Sequence, residues 1–175
     1  AGVVHAVAEP ALVIVATGRL HAPSLQPEKS GRALEAAALN EAFAINTIGP
    51  ALVAKRMLPL LPRNRRTVFA VLSARVGSIS DNRLGGWHSY RASKAALNML
   101  VRTFAIEQAR THPQTVCVAL HPGTVDTRLS KPFQSGVATE KLFTPAHAAS
   151  SLLATLDALT PAQSGRLFAW NGEEI

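Results

Sequence analysis

Ala11-Leu12-Val13-Ile14-Val15-Ala16 is an unbroken apolar run, rich in β-branched residues and ended by Thr17-Gly18. Without polar alternation, such a run reads as a strand buried on both faces, the kind that parallel sheets are made of. Two similar runs follow at wide spacing, Thr67 to Leu72 and Thr115 to Leu120, and Arg166 to Trp170 gives a short last strand. Helical stretches separate them. Arg32 to Leu61 is rich in Ala, Leu and Glu and is interrupted around Gly49-Pro50; Trp87 to Arg110 is closed by His112-Pro113; Thr144 to Leu159 is the third. On the second, Ala95, Met99, Phe104 and Ile106 are expected to form the inward stripe. Leu20 to Gly31, with Pro23, Pro27 and the pair Glu28-Lys29, reads as a surface loop. Parallel neighbours need a crossover of about a dozen residues or more, so this alternation implies an α/β protein, a doubly wound parallel sheet in three layers. Chemistry is then expected beyond the carboxyl ends of the strands, at Thr17-Gly18, Ser73 to Gly86, and from His121 onward.

The 175 residues are 47% hydrophobic and 17% charged, with 18 Lys plus Arg against 11 Asp plus Glu and a net charge of +7. They read as a single domain, residues 1–175. The basic balance suits an anionic partner without naming it. One cysteine, Cys117, excludes an intrachain disulfide framework and a cysteine-rich zinc site, and it fits a reducing compartment, by default the cytoplasm. No apolar run is long enough to span a bilayer, and the start at residues 1–5 lacks the charged region of a secretory signal. The six histidines show no metal-ligand spacing, so no metal is expected. Lys55, Arg56, Arg63, Arg65 and Arg66 have no interleaved aromatics and read as a solvated face, which argues against nucleic acid as a partner.

Tyr90 and Lys94 lie four residues apart, so phenol and ammonium project from one helix face. To act near neutrality a phenol needs its ionised form favoured by roughly 4 kcal/mol, and a cation about 4 Å away at an effective dielectric near 20 supplies about that much. A tyrosine at the core edge beside a solvated lysine is the plainer reading of the pair alone. Pro50 has no N–H for the carbonyl of Asn46, four residues back, which leaves that oxygen for another donor; equally, Gly49-Pro50 reads as a simple kink with Asn46 capping the second half of the helix.

Four segments taken together resemble the short-chain dehydrogenase/reductase family, nearest its C-factor-like branch: Asn46-Thr47-Ile48-Gly49-Pro50, Leu72 to Asn82, Gly85 to Asn98, and His121-Pro122-Gly123-Thr124-Val125-Asp126-Thr127. The resemblance implies a Rossmann-like fold, an NADP or NAD cofactor, and hydride transfer to or from a carbonyl or alcohol. It implies Tyr90 as general acid/base, Lys94 as the residue that lowers the phenol's pKa and holds the cofactor ribose, a serine near Ser73 that polarises the carbonyl, and Asn46 as support for a relay water. Gly18, Pro122, Gly123, Val125 and Thr127 fall where the family contacts its cofactor, and a homodimer or homotetramer is implied through helical faces between Pro50 and Leu61 and between Ala95 and Ala109.

The chain departs from the family in three places. No Thr-Gly-x-x-x-Gly-x-Gly phosphate turn is present, so the domain reads as lacking its first strands and the fragment as given as lacking the phosphate cradle. Ala16-Thr17-Gly18 stands where the family has Asn-Asn-Ala-Gly. Alignment through Gly77 puts Ala74 at the usual serine, leaving Ser73 as the candidate and Ser78 as its substitute. The rival expectation is a non-catalytic member that senses cofactor or interacts with other proteins. The segment from Arg128 to Phe143 carries no pocket code from which a substrate could be named.

Overall fold

The computed structural model describes residues 9–22 and 26–175. The opening stretch 1–5 and Pro23 lie outside the described residues. Strands β1 (Leu12–Val15), β2 (Thr67–Leu72), β3 (Thr115–His121) and β6 (Leu167–Ala169) form one sheet, ordered β1-β2-β3-β6 and parallel throughout. The two middle strands are aligned without slippage, Thr67 beside Thr115 through Leu72 beside Leu120.

Side-chain alternation divides the core between the two faces. Phe69, Val71, Cys117 and Ala119 pack against helices α2 (Gly49–Met57) and α3 (His88–Thr111), with Ala54, Leu97 and Val101. Val68, Ala70, Val116, Val118 and Leu120 face α4 (Pro145–Ala158), with Leu152 and Leu156. This is the three-layer α/β arrangement expected above. Thr144 caps α4, its hydroxyl accepting from the His147 N–H at 3.2 Å, and Pro145 occupies the first turn, where its missing N–H costs nothing.

Three expectations need correction. β1 is not buried on both faces: Val15 is 6% exposed, but Leu12 and Ile14 are 45% and 41% exposed, because no described element covers the side of β1 opposite α2. The inward stripe of α3 is Leu97, Val101 and Ala105, continuing the line of Tyr90, Ser93 and Lys94; of the expected residues Phe104 does pack against this core, but Met99 is 67% and Ile106 47% exposed. The long helical stretch breaks earlier than Gly49-Pro50. It runs as α1 (Ala36–Phe43), then a π-helical turn, Ala44–Ile48, then α2. The Gly49 N–H donates to the Ala44 carbonyl, five residues back, and the following proline has no N–H with which to resume the α-helical pattern at Asn46.

After β3 the chain makes a short parallel pair, β4 (Thr124–Val125) with β5 (Leu142–Phe143). This pair closes the long excursion between them over the carboxyl end of the sheet.

Candidate active site

The site is built on the first turns of α3. Gly85, Gly86 and Trp87 enter the helix in the left-handed conformation, with φ of +63°, +65° and +52°. The Trp87 N–H donates to the Glu28 carbonyl at 2.6 Å, and the Glu28 carboxylate accepts from the Ser89 N–H at 3.2 Å and from the Ser89 hydroxyl. A carboxylate brought from another part of the chain thus caps the helix, where anions are favoured. Glu28 is only 6% exposed, so its part of the loop is not the solvated surface expected above. Burial works to raise its pKa, but the Ser89 bonds and the nearby His88 leave it below the usual carboxylate value.

Tyr90 and Lys94 follow on the buried face, 9% and 2% exposed. The Lys94 ammonium sits 5.8 Å from the Tyr90 ring centre and donates to the Leu72 carbonyl at 2.8 Å. Burial pushes the phenol up to about 12 and the ammonium down to about 8. Loss of solvent sets both directions, and the phenol is held as a protonated donor. Among the described residues no carboxylate pairs with Lys94, whose ammonium lines the cavity and has the Leu72 carbonyl as its hydrogen-bond acceptor.

Asn46, fully buried, ties the site together from the π-helical turn. Its Oδ1 accepts from the Arg19 N–H at 2.8 Å, while its Nδ2 donates to the Arg19 carbonyl at 2.9 Å and to the Ser93 hydroxyl at 3.1 Å. The Ser93 hydroxyl in turn donates to the Tyr90 carbonyl at 2.8 Å. One amide therefore fixes the turn after β1 to the helix that carries Tyr90.

Ser73 lies at the cavity wall, but its hydroxyl donates to Asn98 Oδ1 at 2.6 Å, and Asn98 donates to the Gly77 carbonyl at 3.2 Å. Ala74 lines the cavity beside it. Ser78 is not among the lining residues; its hydroxyl meets those of Ser80 and the Asp81 N–H. Gly77 packs so closely on α3 that a Cβ there would come 2.8 Å from that of Lys94, which explains the glycine.

These elements enclose a cavity of about 730 Å³ at the carboxyl end of the sheet, within the usual range for small-molecule sites. Gly18, Tyr90, Lys94, Pro122, Gly123, Val125 and Thr127 all line it. Gly123 has φ +78° and lies where a Cβ would strike the Phe143 ring at 2.6 Å, so backbone alone forms this wall. A Cβ at Gly18 would stand 3.5 Å from Lys94 Nζ and 3.7 Å from Asn46 Oδ1, so this glycine lies against both side chains. Buried donors beside bare backbone fit the hydroxyls of a nicotinamide ribose.

His121 also lines the cavity, and its buried Nδ1 has no hydrogen-bond partner among the described residues. Burial, and then the Arg75 guanidinium, push its pKa down to about 4. The unfolded chain takes up that proton near pH 6.5 and the folded one does not, so stability falls as pH drops through this window. Relative to His121→Gln, the wild type is expected to lose about 3 kcal/mol between pH 7 and pH 4, read from urea unfolding at each pH. An equal loss in the variant would show that other groups carry the acid sensitivity.

Glu28, Trp87 and Asn98 belong to the site and escaped the sequence reading. Asn98 had a signal, four residues beyond Lys94 on the same helix; Trp87 had one in the two glycines before it. Glu28 had none.

A family model described as enoyl-(acyl carrier protein) reductase matches residues 17–159. The chain is 37% identical over 134 residues to the C-signal protein of Myxococcus xanthus, covering 76% of this chain and 75% of that protein. It is 39% identical over 122 residues to 1-hydroxy-2-glutathionyl-2-methyl-3-butene dehydrogenase of Rhodococcus sp. (strain AD45), covering 70% and 51%. An NADPH-bound carbonyl reductase from chicken fatty liver has the same fold, with a TM-score of 0.73 at 28% identity over 85% of this chain and 60% of that one. The chain thus spans three quarters of the C-signal protein but about half of the dehydrogenase.

Proposed function

We propose, starting from the fact that this chain belongs to the short-chain dehydrogenase/reductase family, that it serves an NADP- or NAD-dependent oxidoreductase acting on a carbonyl or alcohol. The observation that carries the reading is the burial of Tyr90 and Lys94 side by side in the wall of one cavity, the phenol held protonated and the ammonium held without a counter-ion. A reduced nicotinamide, when bound, supplies the hydride that the carbonyl carbon takes up. Tyr90 gives its phenolic proton to the carbonyl oxygen, so that carbonyl, hydride and proton become the alcohol; oxidation runs the same steps in reverse. Lys94 holds the ribose hydroxyls and favours the phenolate left behind. Gly18, Pro122, Gly123, Val125 and Thr127 wall the nicotinamide end. Asn46 fixes the floor under Tyr90, and its carbonyl, which Pro50 cannot bond, is free to take part in resupplying the proton.

Ser73 spends its hydroxyl on Asn98, and Ser78 lies outside the cavity. For Ser73 to polarise a substrate, its hydroxyl must turn from Asn98. That observation favours a second reading, a member that binds cofactor without turnover. The sign of the net charge, +7, favours the extra phosphate of NADP. No helix among the described residues is long and apolar enough to cross a membrane. Exposed Leu52 and Val53 on α2 and Met99 and Ile106 on α3 favour a homo-oligomer, a dimer or tetramer, built through those faces.

The test is reduction of simple aldehydes and ketones with a nicotinamide deuterated at the transferable position. Deuterium appearing on the carbinol carbon supports the reading; cofactor binding without transfer overturns it in favour of the second.

A further inference from the structure

We propose that Trp87 sets the substrate class: with Phe133 and Tyr90 its indole forms an aromatic wall that selects flat aromatic carbonyl compounds over open-chain aliphatic ones. The inference rests on the reductase reading and adds to it the identity of the substrate's flank.

Trp87 is the one non-glycine among the described residues with positive φ, a conformation costly to any residue with a Cβ and rare for a bulky one. Strain of this kind persists only where the surroundings over-determine it. Here they do. The Trp87 N–H is held by the Glu28 carbonyl at 2.6 Å, its carbonyl accepts from the Arg91 N–H at 2.8 Å, and Arg91 Nε binds the Gly86 carbonyl at 3.0 Å. The buried Glu28 cap makes this entry rigid.

The conformation turns the indole into the cavity. Its ring stands edge-to-face to Phe133, 5.0 Å between centres at 61°, and to Tyr90, 6.4 Å at 74°. Phe133 is in turn edge-on to His21 at 5.7 Å. Tyr90 thus presents its hydroxyl at one end of an aromatic surface, and Leu20, Val76 and Leu129 complete an apolar lining. Aromatic pairs gain beyond the area they bury, and an open-chain substrate forfeits that gain. Of the arginines lining the cavity, Arg75 is paired with Asp81 and Glu173, while Arg128 is exposed and in no ion pair among the described residues.

The test compares benzaldehyde with hexanal. Trp87→Gly relieves the strain and removes the ring, while Trp87→Phe keeps an aromatic. In Trp87→Gly, the ratio of kcat/KM for benzaldehyde to that for hexanal is expected to fall about tenfold or more, the size of effect a lost apolar contact produces, and Trp87→Phe restores most of it. An equal fall for both aldehydes that Trp87→Phe does not restore, or no fall for either, overturns the proposal. A second measurement separates it from the reductase reading. The chain has two tryptophans, so Trp170→Phe leaves Trp87 as the only indole. Saturable quenching of its emission by acetophenone but not by butanone supports the wall even if no aldehyde is reduced, in which case only the reductase reading fails. Reduction of both aldehydes without such quenching sinks the wall and leaves that reading intact.

Discussion

Replacing Tyr90 by Phe is expected to lower kcat for carbonyl reduction by about 10²–10⁴-fold, the usual contribution of a positioned acid, while the cofactor Kd stays nearly unchanged. The variant keeps the ring that packs on Trp87 and removes only the proton donor. Because burial holds the phenol near 12, it donates without competition from ionisation at neutral pH. Ser73 is engaged by Asn98. Steady-state rates beside a titration of the cofactor decide the matter; undiminished kcat in Tyr90→Phe would remove Tyr90 from the chemistry.

Lys94→Met should make the protein more stable and less active. The ammonium is buried to 2% exposure with one hydrogen bond and no carboxylate, and burial lowers its pKa from 10.5 to about 8. That shift corresponds to about 3 kcal/mol of destabilisation at pH 7, against about 1 kcal/mol for the bond to Leu72 lost on substitution, so a net gain of about 2 kcal/mol is expected. The pH dependence supplies the check. A folded-state pKa below the unfolded one means the unfolded chain binds the extra proton between pH 8 and 10.5, so stability rises with pH in that window. Between pH 8 and 9 the rise attributable to Lys94 is about 1 kcal/mol, and it disappears in Lys94→Met. Cys117, which burial pushes up to about 12, acts in the opposite sense above pH 9, and comparison with the variant cancels it. Activity moves the other way: without the ammonium the ribose loses its donors and the phenolate its counter-charge, and kcat/KM is expected to fall by about 100-fold or more. Matched unfolding and kinetic measurements on the two proteins test both halves, and a variant that is destabilised or fully active contradicts the account.

The strands β2 and β3 were legible because burial on both faces leaves a continuous apolar run. β1 carries the same signature, yet Leu12 and Ile14 are exposed; composition reports which face is apolar, and not what covers it. The extent of α3 was legible, and its rotation was not. Its buried line includes Ser93 and Lys94, so apolar spacing alone points toward Met99 and Ile106, which face outward. Pro50 announces an interruption through its missing N–H, but the sequence puts it around Gly49-Pro50, and the π-helical turn at Ala44–Ile48 leaves no local mark of its own. Strand alternation places Ser73 on the α3 side of the sheet, but its commitment to Asn98 depends on helix register. Glu28 could not have been found: it caps a helix 61 residues away, and nothing local distinguishes it from a surface carboxylate.

The π-helical turn at Ala44–Ile48 also sets a phase. Upstream of it Ala38 and Ala42 face inward, and downstream Pro50 and Ala54 do, with Leu52 and Val53 turned outward. Each residue turns an α-helix by about 100°, so a regular helix running from Ala42 to Ala54 would carry the second alanine about 120° away from the face of the first; the wide π-helical turn takes up the extra residue and returns both to the core. Without that turn, at the same length, Ala54 would leave the sheet and the outer face of α2 would point elsewhere. The five residues therefore act as a phase corrector, and the place of Asn46 cannot be varied independently of the face that α2 shows to its surroundings.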